Sequence, residues 1–118
     1  LAETWLVDES ERSSDCEWLA DLDERFHVEL VAAAGNPEIA RVHRAATERI
    51  RIVRRLDFTQ PDRIGTTYRE PAAILSAILA RDAAGAAELL RAHIQDSQNA
   101  VRKITLHRLY STRRAKAA

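Results

Sequence analysis

Asp23 and His27 stand four residues apart in the stretch DERFHVELVAAAGNP, and His93 follows far downstream in RAHIQDSQN. On a helix, a carboxylate and an imidazole at this spacing share one face with Cβ atoms about 6 Å apart, close enough to grip a common ion. Asp23 comes four residues after Leu19 and His27 four before Val31, so both flank the apolar stripe of Leu22, Phe26 and Leu30 and point partly inward. His93 holds a matching flank between Leu89 and Ser97 on a later helix. Three ligand-type groups from two helices can therefore converge, and one carboxylate with two imidazoles suits zinc or a similar divalent ion. The same pair serves equally as a half-buried hydrogen bond, and both uses stand at this point.

The other chemistry-bearing residues are fewer. Arg49 falls three after Ala46 and four before Val53, on the apolar stripe of its helix. It is either a snorkelling edge residue or a cation facing an anionic ligand. His43 and His107 read as satisfied polar residues. The arginines of RIRIVRR, Arg49 to Arg55, spread around their helix, which marks a solvated face more than a nucleic-acid surface. The chain has no glycine-rich phosphate loop, nucleophile elbow or paired-cysteine zinc motif, so no catalytic residue is assigned.

The elements that must position these groups are all helical. Ser14 and Glu17 have capping-box spacing, and Leu19, Leu22, Phe26, Leu30 and Ala33 then recur at helical period until Gly35, a residue suited to closing a helix. Asn36 and Pro37 suit the cap and first turn of the next helix, whose stripe is Ile39, Val42, Ala46, Ile50, Val53 and Leu56. FTQPDRIGTT, Phe58 to Thr67, reads as a longer loop. A third helix is expected from about Arg69 to Arg81, with Ile74, Leu75, Ile78 and Leu79 buried. Asp82 caps a fourth that continues to about Tyr110 through Leu89, Leu90, Ile94, Val101, Ile104 and Leu109, a face wide enough to pack inside the domain and against a second subunit. Leu1 to Arg12 reads as a short helix with Trp5 and Leu6 inward, residues 13–110 as the bundle, and residues 111–118 as a frayed basic tail. The expected architecture is an all-α antiparallel bundle.

Composition narrows the classes further. A chain of 118 residues suits one core. Its 18 basic and 18 acidic residues balance, which argues against a phosphate-backbone grip by this segment. The lone Cys16 excludes an internal disulfide and fits a reducing compartment, so the cytosol is the expected location. No apolar run reaches membrane-spanning length, and no membrane association is expected. The sequence starts at Leu1, as a piece of a longer chain would.

Two blocks carry a family resemblance. LDERFHVELVAAAGNPEI, Leu22 to Ile39, resembles the D-x-x-F-H-x-x-L-x-x-A-x-G-N-P signature of the FCD domain, the FadR-type C-terminal ligand-binding domain of GntR-family bacterial transcription regulators. REPAAILSAILARDAAGAAELLRAHIQDSQNAV, Arg69 to Val101, is similar to that family's second block. The resemblance implies a homodimeric helical bundle that senses a small metabolite, often an organic acid, while operator DNA is bound by a separate N-terminal winged helix-turn-helix. Nothing in this sequence resembles that winged helix, and the family's first helix is absent or reduced to Leu1 to Arg12. Many members hold zinc through one Asp and three His. Asp23, His27 and His93 match three of these ligands, whereas Pro71 stands where the fourth would be and has no side-chain lone pair. The resemblance thus implies either a three-ligand divalent metal site or a metal-free pocket in which His27 and His93 bond the effector directly. Arg49 is expected to match the charge of a carboxylate effector, and Ser97, one turn after His93, to line the same cavity. The competing reading is a small metal-dependent hydrolase or transferase built on the same triad, with Glu24 or Glu70 as its general base. A third is a structural dimerisation module with a filled interior.

Overall fold

The computed structural model describes residues 1–8, 11, 15–58 and 61–117, and for residues 57, 61–66, 104–113 and 115–117 it describes the backbone alone. Among these residues the chain forms helices and no strands: α1 (Ala2–Trp5), α2 (Cys16–Ala33), α3 (Pro37–Asp57), α4 (Pro61–Leu79) and α5 (Ala83–Ala117). The fold is the all-α antiparallel bundle that the periodicity predicts. Around the bundle the order is α2, α3, α5, α4, so that α2 and α5 stand at diagonal corners, and α1 packs on α4.

The turns follow local chemistry. Gly35 closes α2 with φ of 81°, a left-handed conformation that an L side chain would strain. Asn36 then caps α3, its Oδ1 accepting from the Glu38 and Ile39 backbone N–H groups at 3.1 and 3.2 Å. At the end of α4, Asp82 N–H bonds back to Ala77 O and Arg81 N–H to Ile78 O, both at 2.9 Å, with Arg81 at φ 58°. That is a Schellman closure with arginine in the place usually given to glycine. Asp82 next caps α5 by accepting from Gly85 N–H at 2.9 Å. The cap of α2 is Asp15, whose side chain accepts from Trp18 N–H at 3.2 Å, so the helix starts one residue beyond the position a Ser14 cap would give. Ser14 itself lies outside the described residues.

One core joins α1, α2 and α4. Trp5 packs edge-on against Phe26 at 5.7 Å between ring centroids and tilted against Tyr68 at 5.6 Å, with Leu19, Phe58, Ile74 and Leu75 around them. Trp5 is buried as expected, but its neighbour Leu6 is exposed, because α1 ends after a single turn.

Three further expectations change. The long loop before the third helix is largely helix: α4 begins at Pro61 and carries Pro71 in its interior. Thr67, Tyr68, Pro71, Ile74 and Leu75 are all buried and recur at helical period. Their burial outweighs the roughly 3 kcal/mol that an interior proline costs. Ile78 and Leu79, expected inside, are exposed at the frayed end of that face. Residues 111–117, expected as a frayed tail, continue α5. The side chains of Ile104, His107 and Leu109 lie outside the described residues.

The largest difference concerns α3. Ile39, Val42 and Ile50 are exposed, Ile39 by 56 %, and Ala46 with them, while Val53 and Leu56 of the expected stripe are half-buried beside a buried or half-buried polar row of His43, Thr47 and Arg54. The helix turns its polar flank inward. Along α5, Leu89 and Ile94 are also exposed and Leu90 is half-buried against the core.

Truncating Phe26→Ala is expected to remove about 3–5 kcal/mol of stability. Ile52→Ala, at a site 75 % exposed, should change it by no more than about 0.5 kcal/mol. Urea denaturation of both variants measures the contrast.

Candidate metal and ligand site

Asp23 and His27 project from one face of α2 because they are four residues apart, and His93 approaches from α5 across the bundle. These diagonal helices meet through side chains. His27 Nε2 lies 3.2 Å from His93 Nε2, and Asp23 Oδ1 lies 3.7 Å from the first and 3.9 Å from the second. The two imidazoles stack with an interplanar angle of 19° and centroids 5.1 Å apart. Phe26 holds the other side of the His27 ring edge-on at 5.3 Å. Asp23 and His93 are buried.

Ligand atoms bound tetrahedrally to one zinc at about 2.0–2.1 Å stand about 3.3 Å from each other. The 3.2 Å side of the observed triangle is at that spacing, and the 3.7 and 3.9 Å sides are wider, so a small inward movement of Asp23 Oδ1 would bring the three donors around one ion. The donor set fits as well: one carboxylate oxygen and two imidazole nitrogens are ligands of the type zinc takes. Burial, followed by His93, Arg54 and His43, pushes the His27 imidazole down to about 3. His27 is therefore neutral near pH 7, its contact with Asp23 is not an ion pair there, and no proton competes for both of its nitrogens.

Asp23 has a true cationic neighbour in Arg54, whose Nε lies 3.5 Å from Oδ2. The carboxylate is thus divided, with Oδ2 toward the guanidinium and Oδ1 toward the imidazoles. Arg54 Nη1 is buried and has no hydrogen-bond partner among the described residues. A guanidinium N–H in that position lacks an acceptor that a ligand can supply.

These groups open onto a cavity of about 410 Å³ between α2, α3 and α5. Its polar side is Asp23, His27, His93, His43, Arg54 and Ser97, and Ile50, Val53, Ile94 and Val101 form apolar walls. His43 is half-buried, and burial followed by the Arg54 guanidinium holds its imidazole below the ordinary value.

Of the residues singled out in the sequence, Asp23, His27 and His93 come together and Ser97 lines the cavity beside them. Arg49 does not join them. It is exposed and absent from the cavity wall, on the outward side of α3 from His43 and Arg54. Arg54 occupies the place expected of it. His43, Thr47 and Arg54 recur at intervals of four and seven, a polar row at helical period that would have marked this face. Glu70 was weighed only as a base; its Oε2 is hydrogen-bonded to His93 Nδ1. Glu24 pairs with Arg51 at 2.9 Å on the outer surface between α2 and α3.

A family model, the FCD domain, matches residues 6–96. No curated protein and no solved structure matches the chain. No helix among the described residues is long and apolar enough to cross a membrane.

The low value at His27 has a measurable consequence. Between its ordinary value of 6.5 and about 3, the unfolded chain binds a proton there that the folded chain does not, so stability falls as pH drops through this window. The metal-free protein should lose up to about 1.4 kcal/mol per pH unit from this group. His27→Gln should flatten that part of the curve, and parallel pH profiles of urea stability for the two proteins would contradict it.

Proposed function

Because the chain belongs to the FCD domain family, a family of ligand-binding regulatory domains, we propose that it senses a small carboxylate and transmits its presence to a DNA-binding domain of a GntR-type regulator. One observation carries this reading: a cavity of about 410 Å³ is lined by Asp23, His27 and His93 and by Arg54, whose buried Nη1 has no hydrogen-bond partner among the described residues.

Asp23 Oδ1, His27 Nε2 and His93 Nε2 would hold a divalent ion, zinc by donor type. Such an ion supplies Lewis acidity and positive charge, which draw an anionic oxygen toward it. Arg54 offers N–H donors for a carboxylate, and Asp23 keeps the guanidinium turned toward the cavity. Ser97 and His43 add polar contacts from α5 and α3. Ile50, Val53, Ile94 and Val101 offer apolar contacts to the rest of the ligand. Contacts, without a chemical step, account for every group in the cavity.

Regulation then follows from linkage. The cavity draws its walls from three helices, so a ligand that joins them favours one arrangement of the bundle, and in a homodimer one spacing of the attached DNA-binding domains. The exposed Ile39 and Val42 on α3 and Leu89 on α5 offer aliphatic side chains that a dimer contact would cover.

Thermal unfolding tests the reading. Zinc at about 100 times its Kd should add about 2.7 kcal/mol to the stability of the protein, and Asp23→Ala or His93→Ala should abolish the gain. For a carboxylic acid found by thermal-shift screening, Arg54→Gln should weaken binding about tenfold or more, measured by calorimetry. An Arg54→Gln affinity equal to that of the unaltered protein would remove Arg54 from the ligand site.

A further inference from the structure

The cavity has a partner on the far side of His93. Its Nδ1 is hydrogen-bonded to Oε2 of Glu70, which comes from α4, the helix of the four-helix ring that contributes no described residue to the cavity lining. We propose that Glu70 is a positioning residue: by accepting from Nδ1 it fixes the tautomer of His93 and so aims the Nε2 lone pair at Asp23 and His27. The proposal rests on the reading of those three residues as an ion-binding set and assigns Glu70 a role within it.

The argument starts from what a neutral imidazole can do. One ring nitrogen carries a proton and donates, while the other carries a lone pair and accepts or ligates. A carboxylate oxygen accepts, so the proton of His93 belongs on Nδ1, beside Glu70, and the lone pair on Nε2. With the opposite tautomer, Nε2–H would point at His27 Nε2, 3.2 Å away, and no lone pair would be left for an ion. Burial makes the choice binding, because the His93 side chain is only 3 % exposed and cannot turn to water for another partner. The stacked His27 ring further restricts its rotation. Ligating histidines depend in general on such outer partners, whose loss lowers metal affinity by about 10–100-fold.

The position of Glu70 also has a local cause. Pro71, directly after it, is fully buried inside α4, which anchors the backbone from which Glu70 reaches α5. Glu70 cannot itself replace a ligand, since it occupies the nitrogen on the opposite side of the ring from the triangle.

Two readouts separate this role from a merely structural one. Long-range ¹⁵N–¹H NMR of the metal-free protein should show His93 protonated on Nδ1. In Glu70→Ala the proton should move toward Nε2, and zinc affinity measured by calorimetry should fall about 10–100-fold while the helical circular dichroism is kept. Glu70→Gln retains a carbonyl acceptor and should restore both the tautomer and most of the affinity. Should Glu70→Ala fail to fold, Glu70→Asp, which withdraws the carboxylate by one methylene, should show the same changes to a lesser extent. His93 protonated on Nε2 in the unaltered protein, or a tautomer and zinc affinity indifferent to both Glu70→Ala and Glu70→Asp, would overturn the proposal. A tautomer that responds to Glu70 in a protein that binds no zinc would uphold the orienting role and overturn the ion-binding reading instead.

Discussion

The packing of this bundle is governed by the need to satisfy a charged carboxylate inside it. Asp23 is buried, and a buried carboxylate is tolerated only with partners. It has Arg54 at Oδ2 and two imidazoles near Oδ1, drawn from three different helices. Each partner constrains the next. Arg54 must face inward to reach Asp23, so α3 turns its polar row toward α2 and leaves Ile39 and Val42 outside. His93 must reach from the diagonal corner, and Glu70 must follow it from α4. The aliphatic core is displaced toward α1 and α4, where Trp5, Phe26 and Tyr68 close it.

Two kinds of interior therefore share α2. The helix buries Leu19, Leu22 and Phe26 on one side and Asp23 on the adjoining one, with half-buried His27 beside it. Phe26 belongs to both, since it packs on Trp5 and flanks the ring of His27. The aromatic core thereby supports the orientation of the polar cluster as well as the stability of the fold. Rigid packing on one side and a cavity on the other is the arrangement a sensing domain needs, because an element can be repositioned by a ligand only if part of its surroundings stays fixed.

Much of this was legible in the residues. Gly35, Asn36, Pro37 and Asp82 mark their turns through local backbone chemistry, which does not depend on the rest of the chain. Asp23, His27 and His93 could be brought together by helical period alone. The orientation of α3 could not, because an aliphatic stripe is ordinarily the buried one and here the ion partners of Asp23 override it. Arg49 lies on that stripe and is exposed, while Arg54 lines the cavity. The early start of α4 was hidden by Pro61, Gly65 and Pro71, all of which locally favour a break, whereas the burial of Thr67, Tyr68 and Pro71 on one face is a tertiary effect. Glu70 met His93 only once α4 and α5 were packed side by side.

An acceptor on the proposed ligand suits the cavity whether or not an ion occupies the triangle. Without an ion, the carboxylate of Asp23 is balanced by the guanidinium of Arg54, and His27 is neutral. The unmet need is then a donor, Arg54 Nη1, which calls for an acceptor. With a divalent ion the cavity becomes net positive, and an anion is favoured more strongly still. Both states favour an acceptor, and the ion would add a preference for an anionic one. The apolar residues Ile50, Val53, Ile94 and Val101 then limit how much of the ligand can be polar, since a second charged end against them would be desolvated without a partner. The proposed carboxylate head with a short, less polar body meets both conditions, and it would engage the same polar groups that pair inside the bundle.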